Sequence, residues 1–407
     1  MKKLLTVFIM LLMISVLTSC AEAGSTYTKK NKSGSDETDT PAQDAAADEA
    51  IQNAMDNITA DVSTEDLAID PGEADTSEHD PLSEELPGSS QYKIAMVTDT
   101  GGINDQSFNQ AAWEGLSRLN EDTGATVKYL SIKNDNDYID CIEKLIGEDY
   151  SFIWGIGYES ADSVKEEAAK HPGTKFAVID HAFEDSSDNL TGVTFRAEEP
   201  SFMAGYIAAA VTQNGRVGFI GGEPGETIDA FHYGYLSGVA YANKELGKDV
   251  SVDIRYIGSF TDSDEGYSLA KSMYDAGTVV IYHAAGAAGL GVINAAKDGG
   301  SGCYVIGVDR DQAYLAPENV LTSVIKNIPI AIENVSVQFM MNDNINGINL
   351  DFGLSEHSVG ISSIHDNYPE QVYERALEIG TDIASGLITV PKDQAGYDEF
   401  VRELGEE

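Results

Sequence analysis

The sequence predicts an α/β protein of two lobes, each a doubly wound parallel sheet, joined by a hinge and enclosing a ligand cleft. Three observations carry this prediction. From Lys93 onward, short apolar runs alternate with helical patterns, the arrangement of parallel strands joined by crossover helices. The alternation comes in two blocks, one ending near Phe195 and the next beginning near Glu199. The apolar runs close on acids, aromatics or glycine, and the carboxyl ends of strands are where open α/β sheets bind ligands.

The first element, Lys93 to Asn120, sets the pattern. Ile94, Met96 and Val97 suit a strand, Gly101-Gly102 permits a sharp turn, and Asp105 or Ser107 can cap a helix whose apolar side carries Phe108, Ala112, Leu116 and Leu119. Strands are then expected at Val127–Ile132, Phe152–Ile156 and Lys175–Asp180 in the first block. In the second they are expected at Val217–Ile220, Val252–Ile257, Val279–Tyr282 and Tyr304–Asp309. Helices between them fall near Tyr138–Gly147, Ser160–Lys170, Ser201–Thr212, Ile228–Leu246, Asp264–Ala276 and Gly289–Lys297. Residues after Thr322 supply the crossovers and closing elements. Lobe 1 is thus expected to take residues 91–197 and part of 323–350, and lobe 2 residues 198–322 and most of 351–407.

Upstream of this domain the chain changes character twice. Residues 1–20 begin with Lys2 and Lys3, continue through an uncharged apolar run from Leu4 to Leu17, and end in Leu17-Thr18-Ser19-Cys20. The run is about 14 residues, short for a bilayer span and right for a secretory signal. A small-residue cleavage site ending in cysteine resembles the bacterial lipobox, so Cys20 is the expected lipidation site. Lipid there would hold the protein on the extracytoplasmic face of the cell membrane without a transmembrane helix. A plain secretory signal is the alternative. Residues 21–90 are rich in Ala, Asp, Glu, Ser and Thr, carry roughly −15 of net charge and show no period, and so read as an acidic disordered linker.

The whole chain, 407 residues with a net charge of −43, lacks the clustered Lys and Arg that nucleic-acid phosphates require, so no nucleic-acid partner is expected. Cys141 and Cys303 stand far apart and read as small hydrophobes rather than a bridge. The Asn134-Asp135-Asn136-Asp137 run lacks the glycine and terminal glutamate of a calcium loop and reads as a solvated turn. His181, His232 and His283 are not spaced as a metal set, and no Ser or Cys nucleophile has an evident base beside it. Neither a metal, a cofactor nor catalysis is therefore expected. Glycines 286, 289 and 291 do not fit a dinucleotide fingerprint, and Ala284–Gly291 reads as a helix start that brings backbone near a ligand.

What remains is a set of candidate cleft residues: Asp99, Asn104 and Phe108 from the first turn, then Asp180, Phe260, Gly286, Asp309 and Lys326. Aromatics, acids, one lysine and a glycine can sandwich a flat ring and hydrogen-bond a polyol. Each also has a plainer reading: Phe108 as core, Asp180 and Asp309 as helix caps, Lys326 as an ion-pair partner of Asp309. His181, next to Asp180, either flanks the cleft or sits in an exposed loop.

The stretches VTDTGGINDQSFNQAAWEGL, GSFTDSDEGYSLAKSMYDAGTVVIYHAAGAAGLGV, VIGVDRDQ and TSVIKN, in this order, resemble the basic membrane protein family of nucleoside-binding lipoproteins, the purine nucleoside receptor type. The resemblance implies a type I periplasmic-binding-protein fold and a substrate-binding lipoprotein that serves the permease of an ABC importer. It further implies that Phe108 and Phe260 stack on the two faces of a purine base and that Asp180 accepts from the base edge. Asp309, Lys326 and the backbone at Gly286 would then hold the ribose. Asp99 and Asn104 transfer less directly, because the turn around them varies. A ligand sensor or adhesin on the same fold, and a nucleoside-processing enzyme, are the alternatives.

Overall fold

In the computed structural model, which describes residues 68–69, 91–341 and 347–406, the two expected lobes are built on two separate sheets. A two-residue strand, β1 (Ala68–Ile69), precedes the domain. The first block then runs β2 (Lys93–Thr98), α1 (Phe108–Thr123), β3 (Thr126–Ser131), α2 (Tyr138–Gly147), β4 (Phe152–Ile156), α3 (Ala161–Lys170), β5 (Lys175–Ile179) and β6 (Leu190–Phe195). The second runs α4 (Glu198–Val211), β7 (Arg216–Gly221), α5 (Glu226–Leu246), β8 (Ser251–Tyr256), α6 (Ser263–Asp275), β9 (Val280–Ala284), α7 (Gly289–Gly299), β10 (Tyr304–Asp309) and β11 (Val320–Lys326). The closing elements are α8 (Ile328–Met340), β12 (Asn349–Phe352), β13 (Val359–Ser362), α9 (Glu370–Ala384) and α10 (Gln394–Glu406).

The first sheet has the order β12-β6-β5-β4-β2-β3 and is parallel throughout. The second has the order β1-β13-β11-β10-β9-β7-β8, with one antiparallel pair, β11 with β13. Strands covered by helices on both faces should be apolar on both, and β2 is. Its Ile94 and Met96 enter one core and its Ala95 and Val97 another, all four without exposed surface. In lobe 2 the helices α4 and α5 touch through glycine: a Cβ on Gly205 or Gly238 would collide with the backbone of Tyr235 or Phe202, so only glycine allows this approach.

Among the described residues three segments cross between the lobes: Arg196–Ala197 from β6 to α4, Asn327 from β11 to α8, and Gly353–Ser358 from β12 to β13. Arg196 clamps the first crossing to the third. Its guanidinium donates to Glu199 at 2.8 Å, Asp351 at 3.1 Å and Ser355 at 3.0 Å, and also pairs with Glu356. Glu199 in turn accepts from the Leu354 backbone N–H at 2.7 Å.

Two features of the N-terminal reading meet the structure here. Ala68 and Ile69, inside the segment read as unstructured linker, pair in parallel with Ile361 and Ser362, so at these two residues the expectation fails. The reason is the otherwise open edge of β13, whose backbone groups accept a further strand. Cys20 and the rest of the linker lie outside the described residues. Among the described residues no helix is long and apolar enough to cross a membrane.

Candidate ligand site

The carboxyl ends of the strands in both sheets open onto one cleft, which holds about 630 Å³ of empty space including its mouth. Asp99, Phe108, Asp180, Phe260, Gly286, Asp309 and Lys326 all line it. Asn104 does not: it is exposed on a 3₁₀ turn, and Asp105, further along the same loop, and Asn109, in the first turn of α1, line the cleft instead.

That loop folds around its acids. Asp105 accepts from the backbone N–H groups of Ser107 (3.0 Å), Asn109 (2.8 Å) and Gln110 (3.0 Å), satisfying donors at the start of α1, so the capping falls to Asp105 rather than Ser107. Asp99 accepts from Gly101 N–H at 2.7 Å and from the Asn109 amide at 2.8 Å. Burial raises the pKa of both carboxyls above the usual range, against the pull of these hydrogen bonds.

Asp180 directly follows β5 and Asp309 ends β10, one in each lobe, with φ of 64° and 66°. Residues with a side chain seldom adopt this left-handed conformation, and both times it turns a carboxylate into the cleft in place of capping a helix. The partners differ from expectation. Lys326 Nζ donates to both Asp180 oxygens, at 2.7 and 2.6 Å, across the lobes, rather than to Asp309. Asp309 Oδ2 instead accepts from Ser107 Oγ of lobe 1 at 2.5 Å. Burial pushes the Asp309 pKa up to about 6, opposed by the Lys326 charge and the Ser107 hydroxyl.

Lys326 has almost no exposed side chain, and its ammonium sits 4.8 Å from the centre of the Phe108 ring, 5.2 Å from Phe195 and 5.6 Å from Phe231. These aromatic rings offset its desolvation. Phe260, also in the cleft wall, meets Tyr158 edge to face, with ring centres 6.5 Å apart. Gly286, at φ 52°, brings its backbone to the cleft just ahead of α7.

Several lining residues escaped the sequence reading: Tyr158, Glu159, Thr227, Ile228 and Phe231. The signal was present for the first two, since Gly157-Tyr158-Glu159 closes β4. Applying the strand-end rule to every strand finds Tyr158 and Glu159, whereas Thr227, Ile228 and Phe231 lie in the first turns of α5, beyond the reach of that rule. His181 does not line the cleft: its backbone bridges Val193 and its ring packs edge to face on Phe183 at 4.6 Å. His232 is buried in stacked contact with Phe219 and Tyr233, and Cys141 and Cys303 are unpaired and partly buried. Among the described residues no cluster of His, Cys, Asp or Glu is arranged to hold a metal.

Chemically, the cleft offers many acceptors, one ammonium and flanking aromatic rings. It suits an uncharged ligand with a flat face and several O–H or N–H donors, and among the described lining residues Lys326 is the single cation, so these form no cationic cradle for a phosphate.

Comparison with known proteins bears on the family and the fold. The Bmp family, described as ABC transporter substrate-binding protein PnrA-like, matches residues 92–394. Basic membrane protein A1 of Borrelia garinii subsp. bavariensis is 37% identical over 325 residues, spanning 79% of this chain and 93% of that protein. Basic membrane protein A of Borreliella afzelii is 38% identical over 315 residues, 77% of this chain and 95% of its own. Among solved structures, an ABC transporter solute-binding protein from Aeropyrum pernix K1 superposes with a TM-score of 0.68 at 24% identity, covering 77% of this chain and 98% of that one. At that identity the likeness speaks for the fold alone.

Proposed function

The chain belongs to the Bmp family of PnrA-like ABC transporter substrate-binding proteins, and from that premise we propose that it captures purine nucleosides outside the cytoplasm and hands them to the permease of an importer. Lipid on Cys20 is the proposed anchor, and residues 21–90 the tether. The observation that supports this ligand class is the chemistry of the cleft wall: aromatic rings on both lobes, acids whose oxygens can accept from hydroxyl and N–H donors, and a single ammonium already paired with Asp180. Stacking supplies the sequence-tolerant part of the affinity and the oriented carboxylates its selectivity.

Mass spectrometry of small molecules released on denaturing the freshly purified protein tests the ligand class. A purine nucleoside in near-stoichiometric amount is expected. Release of a sugar or an amino acid, together with calorimetric silence towards inosine, guanosine and adenosine, would overturn it.

A further inference from the structure

Outside the cavity, a second set of contacts joins the two lobes. Gln312 has no exposed surface. Two backbone groups of opposite kind fix its amide: Oε1 accepts from the Val308 N–H at 3.0 Å, and Nε2 donates to the Gln106 carbonyl of lobe 1, also at 3.0 Å. His283 contacts Oε1 through Nε2 at 3.1 Å, and burial lowers its pKa to about 4, so the ring is neutral and donates as the Nε2–H tautomer. The amide cannot flip without losing both backbone partners, which leaves its donor end aimed at lobe 1.

Lobe 1 meets it with an equally constrained loop. Gln106 sits at φ 56°, between Asp105, which gathers three backbone N–H groups, and Ser107, which donates to Asp309. Two contacts flank the central one: the Tyr314 hydroxyl on Gln106 Oε1, and Arg310 on Glu114 at 2.8 Å. Gln106, Glu114, Arg310, Gln312 and Tyr314 are all outside the cavity lining.

A contact that exists only when the lobes are shut, and never touches the ligand, stabilises the closed state for every ligand alike. It therefore slows release without altering preference. On that ground we propose that these five residues form a closure latch, with Gln312 at its centre, that sets how long a captured nucleoside stays bound; the inference rests on the function proposed above.

Release of radiolabelled guanosine into excess unlabelled guanosine tests it in the full chain. Gln312→Glu replaces the cross-lobe donor with an acceptor, while Arg310→Glu and Glu114→Arg each turn the ion pair into a repulsion. Each is expected to speed release at least about fivefold, with the guanosine-to-adenosine affinity ratio held within about twofold, and the combined Arg310→Glu/Glu114→Arg swap should return the rate towards wild type. Unchanged release in all three single variants, or a shifted ligand preference, overturns the latch and leaves the nucleoside reading standing. Should the wild-type chain bind no purine nucleoside, that reading fails instead, and small-angle X-ray scattering of the ligand-free chain judges the latch. A larger radius of gyration in Arg310→Glu, reversed in the swap, supports it; identical radii overturn it.

Discussion

Asp180 of lobe 1 and Asp309 of lobe 2 occupy the same place in two copies of one architecture, each at the end of a parallel strand in the left-handed region with its carboxylate turned into the cleft. Their surroundings separate them. Asp180 is gripped at both oxygens by the Lys326 ammonium from the opposite lobe, whereas Asp309 receives a neutral hydroxyl from Ser107 and is largely buried. The same backbone device therefore yields a committed ion pair after β5 and, at the end of β10, an acid whose charge is poorly supported. Repetition of the fold supplies the position; the partner from the other lobe decides the chemistry.

Breaking the ion pair gives the largest expected effect. With Lys326 replaced by Met, Asp180 is left without its counter-ion in a nearly dry site, a change worth about 3–5 kcal/mol when a buried pair loses one member. Lys326→Met is expected to lower stability by that amount in urea denaturation and to abolish measurable nucleoside binding. The double variant Lys326→Met/Asp180→Asn should recover most of the stability and none of the binding. Recovery of both would mean that the pair serves packing alone.

Asp309 sharpens the comparison through pH. Its folded pKa of about 6 stands above the ordinary value of 3.8, so its contribution to stability is fully present below about 3.8 and is lost as pH rises through about 6. The difference of about 2 pH units corresponds to roughly 3 kcal/mol. Asp309→Asn should remove that loss, so the gap in unfolding free energy between variant and wild type should widen by roughly this amount between pH 4 and pH 7. Burial also raises Glu198, to about 7, but this group is common to both proteins and cancels in the difference. A pH-independent gap would show that Asp309 ionises freely.

How much of this could be read from the sequence follows from what each signal depends on. Strand–helix alternation and apolar patterning are local, so the two sheets, and most of the strand ends that face the cleft, were legible. Asp180 and Asp309 stood out because an apolar run stops at them, and Phe260 because it is an aromatic in the polar loop that follows one. Pairing is not local: Lys326 reaches Asp180 rather than Asp309 because β11 and β5 lie opposite each other across the cleft, and nothing near Lys326 in sequence encodes that. Nor does composition reveal that Ala68–Ile69 would find the open edge of β13. The loop Gly101–Asn109 defeated the reading for a third reason. Its path is set by Asp99 and Asp105 gathering backbone donors, and this turn chemistry moves a residue from wall to surface within a few positions.

Asn104 and Asn109 give the smallest effects and the finest test of that loop. Asn104 is exposed on the 3₁₀ turn and lies outside the cleft lining, so Asn104→Ala should leave nucleoside affinity within about twofold of wild type. Asn109 lines the cleft and its amide holds two carboxylates, donating to Asp99 at 2.8 Å and to Asp105 at 3.2 Å. Removing a hydrogen bond to a charged group costs about 1.5–3 kcal/mol, part of which falls on the fold and part on the orientation of Asp99. Asn109→Ala is accordingly expected to weaken binding by about tenfold or more in calorimetry, and to lower thermal stability. The reverse ranking, with Asn104→Ala the more damaging, would mean that the loop turns its other side to the ligand, and would reassign the lobe 1 wall of the cleft to the residues between Gly101 and Asn104.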